Sequence, residues 1–180
     1  MKRVLLVLLA LALPACRIER APSGRPGGGF APEPDSLASA EVYAVLRGYY
    51  AALTSRDWRL LATHFWPRAT LTSVVRQDGD TAGTLRTLTI EEFVAGAGPV
   101  RAAVFADEVA AASVVTYGDL ADAWVTYRAR VGASAESVVT HYGVDAVHLL
   151  RREGRWRIAS VASQGEVPGR PLSPAAPVRR

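Results

Sequence analysis

Residues Thr140 to Ser163, THYGVDAVHLLRREGRWRIASVAS, decide the fold. Gly143, Asp145, Val147 and Leu149 alternate with Val144, Ala146, His148 and Leu150, and Trp156, Ile158, Ser160 and Ala162 alternate with Arg157, Ala159, Val161 and Ser163. A side-chain period of two belongs to a β-strand, whose successive residues point to opposite faces. The two runs are expected to fold back on each other at Arg152-Glu153-Gly154-Arg155 as the closing hairpin of a sheet.

Upstream the period changes. Val42, Val45, Leu46, Tyr49, Tyr50 and Leu53 form a stripe of period 3.6, a helix that Ser36 or Ser39 is placed to cap. Asp57 is a suitable N-cap for a second, short helix with Trp58, Leu61, Ala62 and Phe65 on one face, stopped by Pro67. Residues 69–76 read as a strand, Gln77-Asp78-Gly79-Asp80 as a turn and 84–88 as a second strand. Thr89-Ile90-Glu91-Glu92 is a capping box, in which the Thr89 hydroxyl and the Glu92 carboxylate satisfy free amides at a helix start; Gly96 and Gly98 close that helix. Strands over 103–117 and 120–131 precede the hairpin. Helices followed by a run of long strands give an α+β fold, with three helices in the N-terminal half packed on one side of a curved antiparallel sheet.

The flanks are of a different kind. Lys2 and Arg3 precede the apolar run Val4 to Leu13, which is shorter than the about 20 residues a membrane-spanning helix needs, so 1–15 read as a signal peptide. Leu13-Pro14-Ala15-Cys16 resembles the lipobox of bacterial lipoproteins, with Pro14 in a slot that usually holds a smaller residue. Cys16 is the single cysteine, with no partner for an intramolecular disulfide. The resemblance implies a diacylglyceryl thioether (with palmitate among its acyl chains) on Cys16, and a lipid-anchored, extracytoplasmic protein of the cell envelope, on the periplasmic side in a Gram-negative cell. The Pro- and Gly-rich stretch 16–36 is then a tether, 37–165 the folded domain, and 166–180 a disordered tail.

The net charge of +4 lies in these flanks. From Ser39 to Gly165, 13 Arg offset 13 Asp plus Glu, so the domain is not basic and nucleic acid is not an expected partner.

Several segments together resemble the nuclear transport factor 2-like superfamily and its SnoaL-like branch, whose members are mostly of unknown function. They are Tyr49-Tyr50-Ala51-Ala52-Leu53 with Arg56-Asp57-Trp58, His64-Phe65-Trp66-Pro67-Arg68-Ala69-Thr70, and Thr89-Ile90-Glu91-Glu92-Phe93. Gly118-Asp119-Leu120-Ala121-Asp122-Ala123-Trp124, Gly143-Val144-Asp145-Ala146 and Gly154-Arg155-Trp156-Arg157-Ile158 continue the match to the end of the domain. The resemblance implies a cone, with the sheet wrapped around the helices and a pocket open at one end. It also implies a homodimer through the outer sheet face, where Trp124 stands if Ala121, Ala123, Val125, Tyr127 and Ala129 face the cone.

The expected pocket residues are Tyr49, Tyr50, Phe65, Trp66, Phe93, Tyr127, His141 and Asp145; Trp58 and Trp156 are assigned to the core. His141 and Asp145 share a strand face but stand about 13 Å apart along it, at about 3.3 Å per residue. Gly143 between them leaves a notch for a ligand or a neighbouring side chain. Asp145 on an apolar strand has two readings. Either it is a carboxylate raised in pKa by an apolar pocket, the setting of a general base with His141 or a tyrosine beside it, or it pairs with Arg128 or Arg130 of the adjacent strand. His64, at a helix end where a cation suits the dipole, and His148, among Val and Leu, read as structural. The three histidines lack metal-ligand spacing, and neither a phosphate-binding glycine loop nor a Ser-His-Asp order stands out, so no metal or cofactor is expected. The expected function is binding of a small apolar ligand or a protein partner without catalysis. The alternatives are an isomerase- or cyclase-like enzyme with Asp145 as general base, and a structural dimer module of the envelope.

Overall fold

A computed structural model describes residues 36–75, 83–97, 104–167 and 169–172. Within them the chain runs α1 (Ser36–Ser55), α2 (Trp58–Thr63), β1 (Phe65–Val75), β2 (Thr84–Thr89), α3 (Ile90–Gly96), β3 (Val104–Tyr117), β4 (Leu120–Gly132), a 3₁₀ turn (Ala135–Ser137), β5 (Val139–Arg152) and β6 (Arg155–Gly165). The leader, Cys16, most of the tether, the turn at 77–80 and Gly98 lie outside the described residues. Among those described, no helix is long and apolar enough to cross a membrane.

The hairpin turns where the sequence predicts it. Glu153 and Gly154 both take positive φ, 52° and 72°, the conformation of a tight turn whose twist matches that of the flanking strands. The six strands order as β2-β1-β6-β5-β4-β3 in one open, curved sheet. The expectation of an antiparallel sheet needs one correction: β1 and β6 run parallel, Leu71 beside Val161 and Ser73 beside Ser163. Two segments far apart in sequence meet there without a hairpin, so local periodicity carries no trace of their direction.

Besides an irregular stretch of β1 between Phe65 and Thr70, one-residue bulges in β6 and β3 set the faces. In β6, Ile158 stands opposite Leu149 and Ser160 opposite His148, leaving Ala159 as an extra residue. In β3, Val109 faces Tyr127 and Ala111 faces Thr126, leaving Ala110 extra. An extra residue reverses the alternation beyond it and bends the strand. Trp156 and Ile158 point inward, but Val161 and Ser163 then follow on the same side, in place of the Ser160 and Ala162 that unbroken alternation predicts.

Helix α1 fills the concavity with the stripe read from sequence: Val42, Leu46, Tyr49 and Tyr50 are buried, Val45 and Leu53 partly so. It begins at Ser36, which puts both cap candidates, Ser36 and Ser39, inside the helix. Fully buried Leu46, Leu61, Phe65, Leu149 and Ile158 join it in the core, at about 1.5–3 kcal/mol for each large apolar side chain removed from water. Polar contacts fix its position: Tyr43 donates to the Ala112 carbonyl at 3.0 Å, and Trp156 Nε1–H donates to Glu41 at 3.0 Å. The Thr54 hydroxyl donates to the Asp107 carbonyl and accepts from its amide, each at 2.9 Å.

Asp57 caps α2 through Leu60 N–H, and the capping box at Thr89 and Glu92 forms as read. Helix α2 ends at Thr63, so Phe65 and Pro67 belong to β1. His64 packs against Gly48, where a Cβ would come 2.5 Å from the ring. Burial holds its pKa below the usual value, so it serves as a neutral ring and not as the cation expected at a helix end. Trp58 is half-buried against Phe93, edge to face at 6.1 Å, whereas Trp156 is core. His148 is exposed and pairs with Asp122.

Candidate functional site

Between α1, α3 and the concave face of the sheet lies a partly enclosed cavity of about 520 Å³. Of the residues proposed from sequence, Tyr49, Tyr50, Phe93, Tyr127 and Asp145 line it. Phe65 does not: it is core, packed edge to face on Tyr49 at 5.4 Å. Trp66 faces a separate surface cleft, donating Nε1–H to the Leu150 carbonyl at 3.0 Å beneath the Arg157 guanidinium. His141 is exposed in a depression beside Gln164 and Glu166. It shares the Asp145 face of β5, but the curved strand carries it beyond the cavity.

The floor is built by register. Ser73, Ser163, Asp145 and Val125 stand in one row across β1, β6, β5 and β4. One step along, Tyr127 lies opposite Gly143, and its ring fills the notch: a Cβ on Gly143 would sit 2.1 Å from the hydroxyl oxygen. The missing side chain therefore admits the tyrosine, which forms cavity wall. Ser163 reaches this row only because the Ala159 bulge turns it inward. Asp107 enters from β3, its backbone held by Thr54, with Phe105 on the same face. Leu53, Leu71, Leu88 and Val161 add apolar wall, and Arg86 and Glu92 are exposed lining residues.

Asp145 is 4% exposed and, among the described residues, is not paired with arginine. The row places Val125 opposite it; Arg128 lies on the other sheet face, opposite Tyr142, and pairs with Glu108. Arg130 likewise follows Arg128 on the outward alternation and stands opposite Thr140. Asp145 instead accepts a hydrogen bond from the Tyr50 hydroxyl on Oδ2, 2.5 Å away. Its Oδ1 is buried and has no hydrogen-bond partner among the described residues. The nearby Ser163 hydroxyl favours ionisation of Asp145, as it does of Tyr127, but makes no hydrogen bond of ordinary geometry to Oδ1.

Burial is the larger influence and pushes the Asp145 carboxyl above the usual range, against the Ser163 and Tyr50 hydroxyls that pull it down. Asp107 is pushed up to about 6, by burial first and then by the charge of Asp145. Tyr49, Tyr50 and Tyr127 are raised chiefly by burial, with the aspartate charges adding to it, so all three keep their protons at neutral pH. The site thus offers two acids, Asp145 and Asp107, at its inner wall, three neutral phenols and two serines around an apolar space. Among the described residues no group of three acidic, imidazole or thiol side chains converges to hold a metal.

Asp107 and Ser163 escape the sequence reading for different reasons. Phe105, Asp107 and Val109 alternate in the sequence, a signal of the same kind that marks Asp145. Ser163 has no such signal, because the bulge reverses its phase.

No family profile matches the chain, and no curated protein matches it. Solved structures do. A nuclear transport factor 2-like protein of unknown function from Pseudomonas putida is 16% identical, covering 71% of this chain and 86% of its own, with a TM-score of 0.57. A putative dehydratase of the same fold family from Streptomyces avermitilis is 13% identical, covering 73% and 97%, at 0.58. A hexachlorocyclohexane dehydrochlorinase from Novosphingobium barchaimii is 15% identical, covering 72% and 87%, at 0.57. At these identities the likeness is one of fold: the domain has the nuclear transport factor 2-like architecture, whatever its chemistry.

Proposed function

We propose that the domain binds one small, mostly apolar molecule in the cone, oriented by a hydrogen-bond donor that it presents to Oδ1 of Asp145. The observation that carries this reading is the buried, unpartnered oxygen in the wall of an accessible cavity. A buried acceptor without a donor costs about 1–3 kcal/mol, and a ligand donor removes that cost. The apolar walls supply the remaining affinity by area.

A second reading is favoured by the raised Asp145 carboxyl, which has no basic partner among the described residues: a general base taking a proton from a bound substrate, with the neutral Tyr50 hydroxyl holding its other oxygen. The dehydratase and dehydrochlorinase names among the fold neighbours agree with proton chemistry on this scaffold, but they describe those proteins.

We further propose delivery to the cell envelope through a lipid on Cys16, supported by Leu13-Pro14-Ala15-Cys16 and the single thiol. Homodimerisation through the outer sheet face is supported by the exposed Trp124 and Leu85, 49% and 71% accessible.

Binding is tested on the purified domain by native mass spectrometry for a retained adduct and by titration with the neutral dye Nile red. One saturable dye site, or one stoichiometric adduct, is expected. Absence of both would remove the binding reading.

A further inference from the structure

The acids of this sheet fall into two groups. On the outer face and at the strand ends, Glu108 pairs with Arg128, Asp122 with His148 and Asp119 with Arg151. On the inner face, Asp107 and Asp145 line the same cavity and, among the described residues, neither is in an ion pair. The two are close enough for the charge of Asp145 to act on Asp107, and among the described residues Asp145 Oδ1 has no hydrogen bond of ordinary geometry, the Ser163 hydroxyl standing near it. A buried carboxylate and a partly buried one that repel each other are costly when both are ionised, unless a positive charge enters between them.

The rest of the wall suits such a charge. Tyr49, Tyr50, Phe93, Phe105 and Tyr127 bring aromatic rings to the cavity, and ring faces attract cations. The chain already uses one of them in this way: the Arg56 guanidinium lies 5.2 Å from the centroid of Phe105. Arg86 and Glu92, both exposed in the lining, carry opposite charges.

We infer that the ligand is an organic cation, an ammonium group on an apolar or aromatic body, with its charge held by Asp145 and Asp107 and its body against the aromatic and leucine walls. This inference rests on the small-molecule reading above and narrows it. The ammonium donates to Oδ1 of Asp145 and relieves the repulsion between the two acids. A metal ion is a poorer fit, because no third ligand converges with them among the described residues.

Proton linkage follows. The groups facing the two carboxylates are Tyr49, Tyr50 and Thr54 from α1, Tyr127 from β4 and Ser163 from β6, with Arg86 of β2 and Glu92 of α3 in the same lining. The phenols are raised and stay neutral. A cation favours the ionised aspartates, so its binding releases protons, and its affinity rises with pH through the Asp107 midpoint of about 6.

The test uses three matched probes of one body: tryptamine (cation), tryptophol (neutral) and indole-3-propionate (anion). Each competes against Nile red and is titrated calorimetrically at pH 6 and 7.5 in two buffers of different ionisation enthalpy. Tryptamine should bind at least about tenfold more tightly than tryptophol, with net proton release at pH 6, and the anion should not compete. Asp145→Asn should weaken tryptamine by at least about tenfold, and Asp107→Asn by several-fold. Thermal unfolding of both variants separates lost binding from lost fold. Equal or tighter binding of tryptophol or the propionate overturns the inference, as does tryptamine binding without proton release. Failure of all three probes also overturns it; if Nile red still binds, the cavity reading survives, and if dye and retained adduct are both absent, both readings fall.

Discussion

Replacing Asp107 by Asn should stabilise the domain at pH 8 and leave it unchanged at pH 4. The side chain is partly buried and its carboxyl is raised from 3.8 to about 6, so ionising it works against folding. Because the folded form holds its proton more tightly than the unfolded chain does, wild-type stability falls as pH rises from about 4 through about 6 and then levels off. Moving a carboxyl midpoint that far corresponds to ~3 kcal/mol, and partial solvent access at the cavity reduces it to ~1–2 kcal/mol. Asn carries no charge, and both Thr54 hydrogen bonds go to the backbone of residue 107, so the substitution leaves them in place. Urea unfolding of wild type and Asp107→Asn at pH 4 and pH 8 measures the effect. The midpoints should coincide at pH 4 and separate in favour of the variant at pH 8. A variant less stable at pH 8, or an offset that is the same at both pH values, would refute the placement of an unpaired carboxylate in the cavity.

Gly143→Ala should cost about 1–3 kcal/mol, because a Cβ 2.1 Å from the Tyr127 hydroxyl oxygen forces the ring out of its place; an unchanged urea midpoint would deny that close packing. Trp124→Ala should convert a dimer to a monomer in sedimentation equilibrium at micromolar concentration, and a monomeric wild type or an undisturbed dimer would exclude the outer face as the interface. Cys16→Ala should abolish incorporation of an alkyne-labelled fatty acid and release the protein from membranes in its native host, and equal labelling of the variant would end the lipid assignment.

The elements that sequence resolves best are those decided within a few residues. The capping box at Thr89 and Glu92, the Asp57 cap and the turn at Glu153-Gly154 each depend on local hydrogen bonding or φ, and each forms where it is read. Asp145 is legible for a related reason, since an acid on an apolar alternation announces that it is buried. What pairing it has is not local. The arginine reading fails because Arg128 and Arg130 alternate outward with Trp124 while Asp145 points in, and the true partner, Tyr50, comes from a helix 95 positions away. Ser163 is hidden by the one-residue bulge at Ala159, a feature to which a period-two reading is blind. His141 fails as a liner through the curvature of its strand, and Trp66 because it follows inward-facing Phe65 in an irregular stretch of β1 and so turns to the other side.

The parallel pairing of β1 with β6 also dictates an order of events in time. The strand that opens the sheet must wait for the strand that ends it, because Ser163, Val161 and the Ile158 amide that binds the His64 carbonyl all arrive last. Until residues 155–165 emerge from the ribosome, β1 presents an unpaired edge on one side, and the floor of the cavity lacks Ser163. Such long-range closure makes folding slow and leaves the growing chain open to edge-to-edge association. A chain exported unfolded would escape that interval, since every strand would already exist when folding begins.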